Sequence, residues 1–383
     1  MSKLCITLPP FAPDYSGAAS ALFELGGMIV IHDASGCTGN YTGFDEPRWF
    51  GSSSAVYCSG LRHMDAVLGN DEKFISAAVE AAESIKPAFV AVLGSPVPTV
   101  IGTDLNGMAS EIEAASGIPS FGLDTKGLAY YGKGIYDATA AVMKRFAGEK
   151  TDMVERSVNI LGMTPLDFYT KGWEKKFAGL FEENGITVTA CFSMGMTLED
   201  MKKSPSAQLN IAVSQAGVQI AEYMEKKYGI PYIAVTPLGD GSIAVEKAEL
   251  ALKGIDDRCE YNYDDAQVLI AGEQIISDSV REYIYKKYGV KADTAVLFDC
   301  TAKYMSRNDI EIKNELHLRK VLNSGKYKTV VGDPMIKALI KKENTEKIKF
   351  IPFPHVAVSS KVHWDEYIDF LGENSIRWLE NIR

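Results

Sequence analysis

Short apolar segments alternate with amphipathic segments of helical length along the whole sequence. Runs such as Met28–Ile31, Ala88–Leu93 and Gln267–Ala271 have the length of buried strands, and each precedes a stretch with helical periodicity. Strands separated by helices favour parallel pairing, because a parallel connection needs room for a crossover helix. The alternation therefore predicts an α/β protein with parallel sheets.

The alternation recurs in three units, which we predict at residues 1–150, 151–265 and 266–383. A polar stretch over residues 147–155 is typical of a linker between the first two units. With 383 residues, of which 46% are hydrophobic, the chain has enough apolar material for several cores. The pattern predicts three Rossmann-like domains and a C-terminal amphipathic helix over residues 366–382.

Charge and cysteine usage narrow the classes of function. The net charge of -10 argues against a nucleic-acid or anionic-membrane surface, since both favour clustered Lys and Arg. The sequence has no apolar run of transmembrane length and its first residues lack the apolar core of a signal peptide, so we expect a cytoplasmic protein. The six cysteines are scattered without a CxxC pair, which is typical of reduced thiols, and Cys5 is expected to lie in a core.

The loop after the Met28–Ile31 segment is the first candidate site. Ligands of open α/β sheets gather outside the carboxyl ends of the strands, and Cys37 lies in such a position between Gly36 and Gly39. Glycines on either side let the backbone approach a bulky group closely. From the residues alone, Cys37 is an iron–sulfur ligand, a redox thiol or a small buried side chain.

Several motifs in order along the chain resemble one family. The segment IHDASGC, which ends at Cys37, resembles an HGPxGC loop, and VIGTDL (residues 100–105) resembles a VIGDD element. The segments MDAVLG (residues 64–69) and MEKKYGIP (residues 224–231) fall in the same order and approximate spacing. In these motifs the chain resembles the nitrogenase component 1 type oxidoreductases.

The resemblance implies a fold and partners. It implies three Rossmann-like domains, a homodimer or a heterodimer with a related subunit, and an iron–sulfur cluster at the dimer interface, such as a four-iron, four-sulfur cluster. It also implies electron delivery by an ATP-hydrolysing iron–sulfur partner of the nitrogenase iron-protein type. Electrons would then pass to a small-molecule substrate in a cavity between domains.

The cluster ligands of the family are only partly present here. Members that carry the cluster present three cysteines, and Cys37 matches the second. Pro13, with Asp14 beside it, takes the first position, and Ser95 or Pro96 takes the third. The resemblance therefore implies Cys37 as a metal ligand, with Cys58 and Asp14 as replacements. Cys37 and Cys58 from each of two chains would supply four thiolates.

The substrate side also departs from the family. The loop that carries a glutamine and a histidine in nitrogenase corresponds to residues 127–134, which contain no histidine, so we do not expect dinitrogen reduction. Tyr130, Tyr131 and Lys133 in this loop could bind or protonate an anionic ligand, although a solvated loop is the simpler expectation. His355 and His363 flank a polar loop and are candidate proton donors.

These observations define the predicted sites and functions. The predicted catalytic residues are His363, His355 and Lys133, and the predicted cofactor-binding residues are His32, Gly36, Tyr41, Ser95 and Tyr130. The leading hypothesis is a component 1 type reductase of a small molecule other than dinitrogen. The alternatives are a carrier or scaffold for a metallocluster or a tetrapyrrole, and a paralogue that keeps the fold without a metal.

Overall fold

A computed structural model of the protein describes residues 6–169 and 172–383, so the prediction for Cys5 lies outside the described residues. The first sheet has four parallel strands in the order β2-β1-β3-β4. These strands are β1 (Met28–Ile31), β2 (Ala55–Cys58), β3 (Val90–Leu93) and β4 (Ser120–Leu123). The helices around it are α1 (Asp14–Leu22), α2 (Gly36–Asn40), a π-helical turn (Tyr41–Asp45), α3 (His63–Leu68), α4 (Asp71–Ile85), α5 (Pro96–Ile101), α6 (Leu105–Ser116) and α7 (Tyr131–Phe146).

The second sheet also has four parallel strands, in the order β6-β5-β7-β8. These strands are β5 (Val154–Met163), β6 (Thr187–Ser193), β7 (Ala207–Ala212) and β8 (Tyr232–Ala234). Its helices are α8 (Pro165–Phe168), α9 (Trp173–Glu183), α10 (Leu198–Lys203), a 3-10 turn (Ser204–Ser206), α11 (Gln215–Tyr228) and α12 (Ser242–Leu252).

The third sheet has five parallel strands in the order β11-β10-β9-β12-β13. These strands are β9 (Val268–Gly272), β10 (Ala292–Val296), β11 (Ile310–Glu311), β12 (Thr329–Gly332) and β13 (Lys349–Pro352). Its helices are α13 (Gln274–Tyr288), α14 (Glu315–Leu322), α15 (Val356–Ser359) and α16 (Glu373–Glu380), with 3-10 turns at Ala302–Tyr304, Pro334–Leu339, Lys342–Asn344 and Ser360–Glu366.

The central strands are apolar along their whole length because helices cover both faces of each sheet. All four residues of β1 are buried, as are all four of β3, and β1 pairs in parallel with both β2 and β3. The predicted α/β class with parallel sheets is confirmed. The three domain boundaries stay a prediction. In the part of the chain that the structure describes, no helix combines the length and apolar character needed to cross a bilayer.

The predicted C-terminal helix over residues 366–382 is wrong in its first part. The chain forms the 3-10 turn Ser360–Glu366, and α16 begins only at Glu373. The intervening backbone pairs with Gly239, which donates its N–H to Phe370 and accepts one from Gly372. These bonds hold the segment extended, and Gly372 then turns the chain with a φ of 92°. A tertiary contact thus overrides the helical periodicity.

Helices α1 and α7 pack with their backbones in direct contact. A Cβ atom at Gly134 of α7 would overlap the carbonyl oxygen of Asp14, and one at Gly17 of α1 would overlap that of Tyr131. Both positions therefore require glycine for the close approach. The contact fixes the first turn of α7, where Tyr131 lies, against the start of α1.

Candidate functional site

The structure brings Cys37 and Cys58 to one edge of the first sheet. Cys58 ends β2, Cys37 lies in α2 after β1, and both are bonded to Asp33. The Asp33 carboxylate accepts the backbone N–H groups of Ser35 (2.9 Å) and Cys37 (2.8 Å). The Cys58 thiol donates to the Asp33 carbonyl oxygen at 3.3 Å. Asp33 thus orders the whole loop and links the two cysteines.

The two thiols have different surroundings. Both are partly buried. Burial raises the pKa of Cys37 and the Asp33 charge adds to the rise, whereas hydrogen bonds to Tyr15 and Ser95 act in the opposite direction. The backbone N–H of Gly60 donates to the Cys58 sulfur at 3.3 Å. Each sulfur therefore has at least one hydrogen-bond partner of the kind that stabilises a ligand thiolate.

The other predicted ligand, Asp14, is occupied by backbone groups. Its buried carboxylate accepts the N–H groups of Tyr15 (2.8 Å), Lys126 (3.1 Å) and Gly127 (2.7 Å). Ser95, at the third family position, donates its hydroxyl to the carbonyl oxygen of His32 at 2.9 Å. Asp14 therefore holds the 126–127 loop against α1, and its carboxylate accepts three backbone N–H groups.

A single chain offers too few ligands for a cluster. Across residues 6–169 and 172–383, no group of three or more His, Cys, Asp or Glu side chains is arranged to hold a metal ion. Iron–sulfur clusters usually need four thiolates. The residues fit such a group only if a second chain adds its own Cys37 and Cys58.

The segments around this edge expose large apolar side chains, which we call the apolar face. They lie on the π-helical turn and the loop after it, on edge strand β2, and on α3 and α5. Val100 is 85% exposed, which is unusual for valine. Apolar patches rimmed by polar residues mark interaction sites. The members of the apolar face are Phe44, Phe50, Tyr57, Met64, Val67, Leu68, Val97, Val100 and Ile101.

The predicted cofactor-binding residues near Cys37 are mostly interior. His32 is buried against Phe74, with 4.9 Å between ring centroids, and burial lowers its pKa. Tyr41 is fully buried and donates its hydroxyl to Glu46 at 2.9 Å. Gly36 is exposed as the first residue of α2. The structure thus places His32 and Tyr41 in the packing of the loop.

A second group of polar side chains joins all three sheets, and we call it the central cluster. It consists of Tyr131, Asp167, Glu273, Asp333 and His355. The Asp167 carboxylate accepts the Tyr131 hydroxyl and lies 3.0 Å from Nε2 of His355. Tyr131 begins α7, Asp167 lies in α8 after β5, and His355 follows β13. One carboxylate thus links residues from the first, second and third sheets.

Asp333 fixes the backbone of His355. Its carboxylate accepts the His355 N–H at 2.9 Å and the Ser359 hydroxyl at 2.7 Å. The N–H of Met335 donates to the same side chain at 2.8 Å. The first of these bonds fixes the backbone of His355, and the ring contacts Asp167.

Glu273 is the buried acid of the central cluster. It is 2% exposed and accepts the N–H groups of Gln215 (2.6 Å) and Ile276 (2.8 Å). Burial raises the pKa of Glu273 to about 8, and the nearby charge of Asp167 adds to the rise. The raised pKa favours the protonated form of this carboxyl group at neutral pH.

The cavity at the central cluster is small. It encloses about 20 Å³ and is lined by Asp167, Glu273, Asp333 and His355 among others. This volume accommodates about one water molecule. Within residues 6–169 and 172–383, no cysteine lines it. The central cluster therefore does not fit a large metal–sulfur cofactor.

The remaining predicted residues lie outside the central cluster. Lys133 is exposed and pairs with Asp137, with 2.7 Å between Nζ and Oδ1. The ring of His363 lies 3.0 Å from Glu366 near the surface. Tyr130 packs edge-on against Phe298, with centroids 5.5 Å apart. The expectation of a solvated loop is wrong for Tyr131, because α7 begins there and the ring is buried against Phe298, with centroids 5.1 Å apart.

Sequence reasoning did not single out Asp167, Glu273 or Asp333. Glu273 and Asp333 directly follow the strands β9 and β12, and Asp167 comes four residues after β5. Their position after a strand is the sequence signal that could have identified them, because ligands of parallel sheets bind at the carboxyl ends of the strands. That signal does not say which of the three edges meet.

Comparison with known proteins agrees with this architecture. The family model for nitrogenase component 1 type oxidoreductases matches residues 13–244, more than half of the chain. The chain belongs to this family. Its fold resembles that of the solved structure "Nitrogenase Cp1 at pH 6.5" with a TM-score of 0.74 and 15% identity, covering 100% of this chain and 93% of that chain.

The curated relatives match only part of this chain. The nitrogenase iron-molybdenum cofactor biosynthesis protein NifE of Clostridium pasteurianum is 29% identical over 217 residues, 55% of this chain and 46% of that protein. The nitrogenase molybdenum-iron protein alpha chain of the same organism is 26% identical over 253 residues, 63% of this chain and 45% of that protein.

A light-independent protochlorophyllide reductase subunit of Staurastrum punctulatum is 38% identical over 84 residues, 22% of this chain and 16% of that protein. In all three comparisons the matched stretch spans less than half of the relative's length. The relatives thus include reductase subunits and a cofactor biosynthesis protein, so membership of the family does not select one activity.

Proposed function

We propose that this family member is the electron-accepting component of a two-component reductase. It would receive electrons from an ATP-hydrolysing iron–sulfur partner and reduce a small molecule other than dinitrogen. The observation that carries the proposal is the pair Cys37 and Cys58, both bonded to Asp33 at one edge of the first sheet. The names of two relatives, a protochlorophyllide reductase subunit and a nitrogenase chain, support a reductive role.

In this proposal Cys37 and Cys58 of two chains hold one iron–sulfur cluster. When bound, the cluster would accept and release single electrons. Asp33 orients the Cys37 backbone, and Gly60 donates an N–H to the Cys58 sulfur. Such hydrogen bonds to ligand sulfurs tune the reduction potential, so these groups would set the driving force for electron transfer.

The central cluster would supply protons for the reduction. Glu273 is a buried carboxylic acid with a raised pKa, and His355 is held by Asp333 and Asp167. A proton donor works best when its pKa lies near the working pH. Glu273 is therefore one proposed donor, and His355 is the second because its ring is bonded to Asp167. Lys133 and His363 are left without a role, because Lys133 is ion-paired with Asp137 and His363 is hydrogen-bonded to Glu366 near the surface.

The apolar face would be covered by other chains. A second chain that brings its own Cys37 and Cys58 must approach this edge, and the ATP-hydrolysing partner must come near enough to transfer an electron. Exposed valine, leucine and methionine side chains on α3 and α5 favour such contacts. A homodimer is the simplest assembly, because identical edges then supply identical thiols.

The second candidate function is a carrier or scaffold for a metallocluster or a tetrapyrrole. It is favoured by the match to NifE, which is named as a cofactor biosynthesis protein, and by the small volume of the central cavity. A carrier needs the thiols to hold its cargo, but it needs neither an electron-donating partner nor the buried acid Glu273.

Anaerobic reconstitution with iron and sulfide tests the cluster. We expect about four iron atoms per pair of chains and the absorbance of an iron–sulfur cluster. Cys37→Ala and Cys58→Ala should each abolish both signals. Cys300→Ala is the matched control, since this partly buried thiol lies on the third unit, and it should leave iron uptake unchanged. A wild-type protein that takes up no iron contradicts the proposal.

A second measurement separates the reductase from the carrier. The reconstituted protein is mixed with a reduced nitrogenase iron protein and MgATP, and electron spin resonance follows the cluster. A reductase component should show cluster reduction that depends on ATP. Reduction that fails with ATP, together with transfer of the cluster to an acceptor protein, would select the carrier.

A further inference from the structure

We infer that a cleft beside the Cys37 edge binds the substrate, and that this substrate is an uncharged, apolar molecule that contains a ring. The inference rests on the proposed function, because it assigns the substrate of that reaction. The apolar cleft encloses about 200 Å³, ten times the volume at the central cluster. Its walls include Leu8, Phe11, Leu128, Tyr130, Ile312 and Leu318.

The walls of the apolar cleft favour a ring-containing molecule. Apolar side chains and prolines form most of the lining, so binding would be driven by removal of apolar surface from water. Phe11 and Tyr130 line the cleft, and the Phe298 ring packs against both, with centroid distances of 5.3 and 5.5 Å. Aromatic rings arranged in this way offer faces and edges to a further ring.

The polar groups of the apolar cleft disfavour an anion. Glu315 lines it, and its carboxylate accepts the N–H groups of Ile6, Thr7 and Leu8 at 2.9 to 3.0 Å. Although partial burial opposes ionisation, these bonds lower the pKa of Glu315, so it stays negatively charged. The other polar lining residue, Asn314, is a helix cap. Among the residues that the structure describes, no lysine, arginine or histidine lines the cleft to balance an anionic ligand.

The apolar cleft lies between the thiol edge and the central cavity, which also supports the inference. At one end, Gly127 packs against Tyr15, which is hydrogen-bonded to Cys37. At the other end, Leu297 lines both the apolar cleft and the central cavity. The Phe298 ring lies 5.2 Å from that of His355. A molecule in the cleft therefore lies between the thiols and the proposed proton donors.

Binding of N-phenyl-1-naphthylamine, an uncharged two-ring fluorophore, to the metal-free protein tests the inference. We expect saturable binding of one molecule per chain. Ala129→Phe and Ile312→Trp enlarge side chains on two separate segments of the lining and should each weaken binding at least tenfold. Leu316→Phe is the matched control, since Leu316 is exposed on the same helix as Leu318, and Val100→Ser controls for the apolar face. Neither control should change the affinity.

Hydrogen–deuterium exchange of the wild type gives an answer without any variant. The probe should protect residues 8–13 and 127–130, and the anionic analogue 1-anilinonaphthalene-8-sulfonate should bind at least tenfold more weakly. Protection confined to α3 and α5, equal binding of the anion, or no saturable binding overturns the inference.

The two proposals fail separately. Iron uptake without probe binding overturns the substrate assignment alone, because reconstitution does not require the cleft. Probe binding in the cleft without iron uptake overturns the proposed reductase and leaves an apolar ligand site.

Discussion

At the scale of single residues, Asp33 has the largest effect on the thiol edge. One carboxylate oxygen accepts three backbone N–H groups of the loop, and the carbonyl oxygen of the same residue accepts the Cys58 thiol. Since α2 has only five residues, its own hydrogen bonds contribute little to its position. The side chain of Asp33 therefore decides where Cys37 lies.

Asp33→Asn should both destabilise the protein and lower its iron uptake. The amide keeps the size of the side chain but loses the charge that three backbone N–H groups bind, which costs about 1–3 kcal/mol of unfolding free energy. Urea denaturation measures the loss. Asp124→Asn, on an exposed acid that pairs with Lys126, is the control and should change stability by less than about 0.5 kcal/mol. Equal stability of the two variants would contradict the role of Asp33.

The raised pKa of Glu273 predicts that the unfolding free energy depends on pH. Its pKa is about 8 in the folded protein and about 4.3 in an unfolded chain, so the folded state binds the proton more tightly. The stability that this group contributes is complete below pH 4.3 and is lost as the pH rises to 8. Unfolding free energy should therefore fall between pH 5 and pH 8.5 by more in the wild type than in Glu273→Gln.

Chemical denaturation at a series of pH values measures this difference. Other buried acids also titrate, so the informative quantity is the wild type minus the variant at each pH. Glu199→Gln is the control, because Glu199 is exposed and pairs with Lys202 on the surface. Parallel pH profiles for the wild type and Glu273→Gln would contradict a protonated Glu273.

At the scale of the elements, the contact between α1 and α7 positions Asp14 at the start of α1 and Tyr131 at the start of α7. It places Asp14 against the 126–127 loop and Tyr131 against Asp167. Neither helix would come so close with a side chain at Gly134, because the carbonyl oxygen of Asp14 occupies that space.

Gly134→Ala should cost at least about 2 kcal/mol of unfolding free energy, because the two helices must move apart or strain their backbones. Gly179→Ala is the matched control in α9, where the structure leaves the space around the glycine open. That change should stabilise the helix by up to about 1 kcal/mol, since alanine is the better helix former. Thermal unfolding compares the two, and an equal effect would contradict the close packing.

Elements were predictable where their pattern was local. The strand Met28–Ile31 and the long helices α4 and α6 follow from apolar runs and periodicity, whereas α2 lies where a loop was expected. The start of α16 could not be predicted in this way, because residues 370–372 bond to Gly239, more than 130 positions earlier in the chain. Strand β2 and helices α3 and α5 were also missed, since they are short and their exposed apolar side chains break the usual alternation.

At the scale of the whole molecule, the apolar face predicts self-association. Val100→Asp should shift the protein from dimer to monomer in sedimentation velocity, because it places a charge in an apolar contact. Met153→Asp is the control, on an exposed apolar residue just before β5, at the opposite end of its strand from the carboxyl edge. A monomeric wild type, or dissociation by both variants, would contradict a dimer through this face.

By itself, the sequence determined the α/β class and the position of Cys37 at the end of a strand. Both depend on local pattern, because strand burial and helix periodicity are visible over a few residues. It also carried the ordered motifs of the nitrogenase component 1 family.

Only the tertiary structure decided which polar groups meet. Tyr131, Asp167 and His355 are separated by up to 224 positions, yet one carboxylate joins them because three sheet edges face the same point. It also decided that the Asp14 carboxylate accepts three backbone N–H groups. Long-range packing sets these contacts, and no local pattern encodes the relative placement of the three sheets.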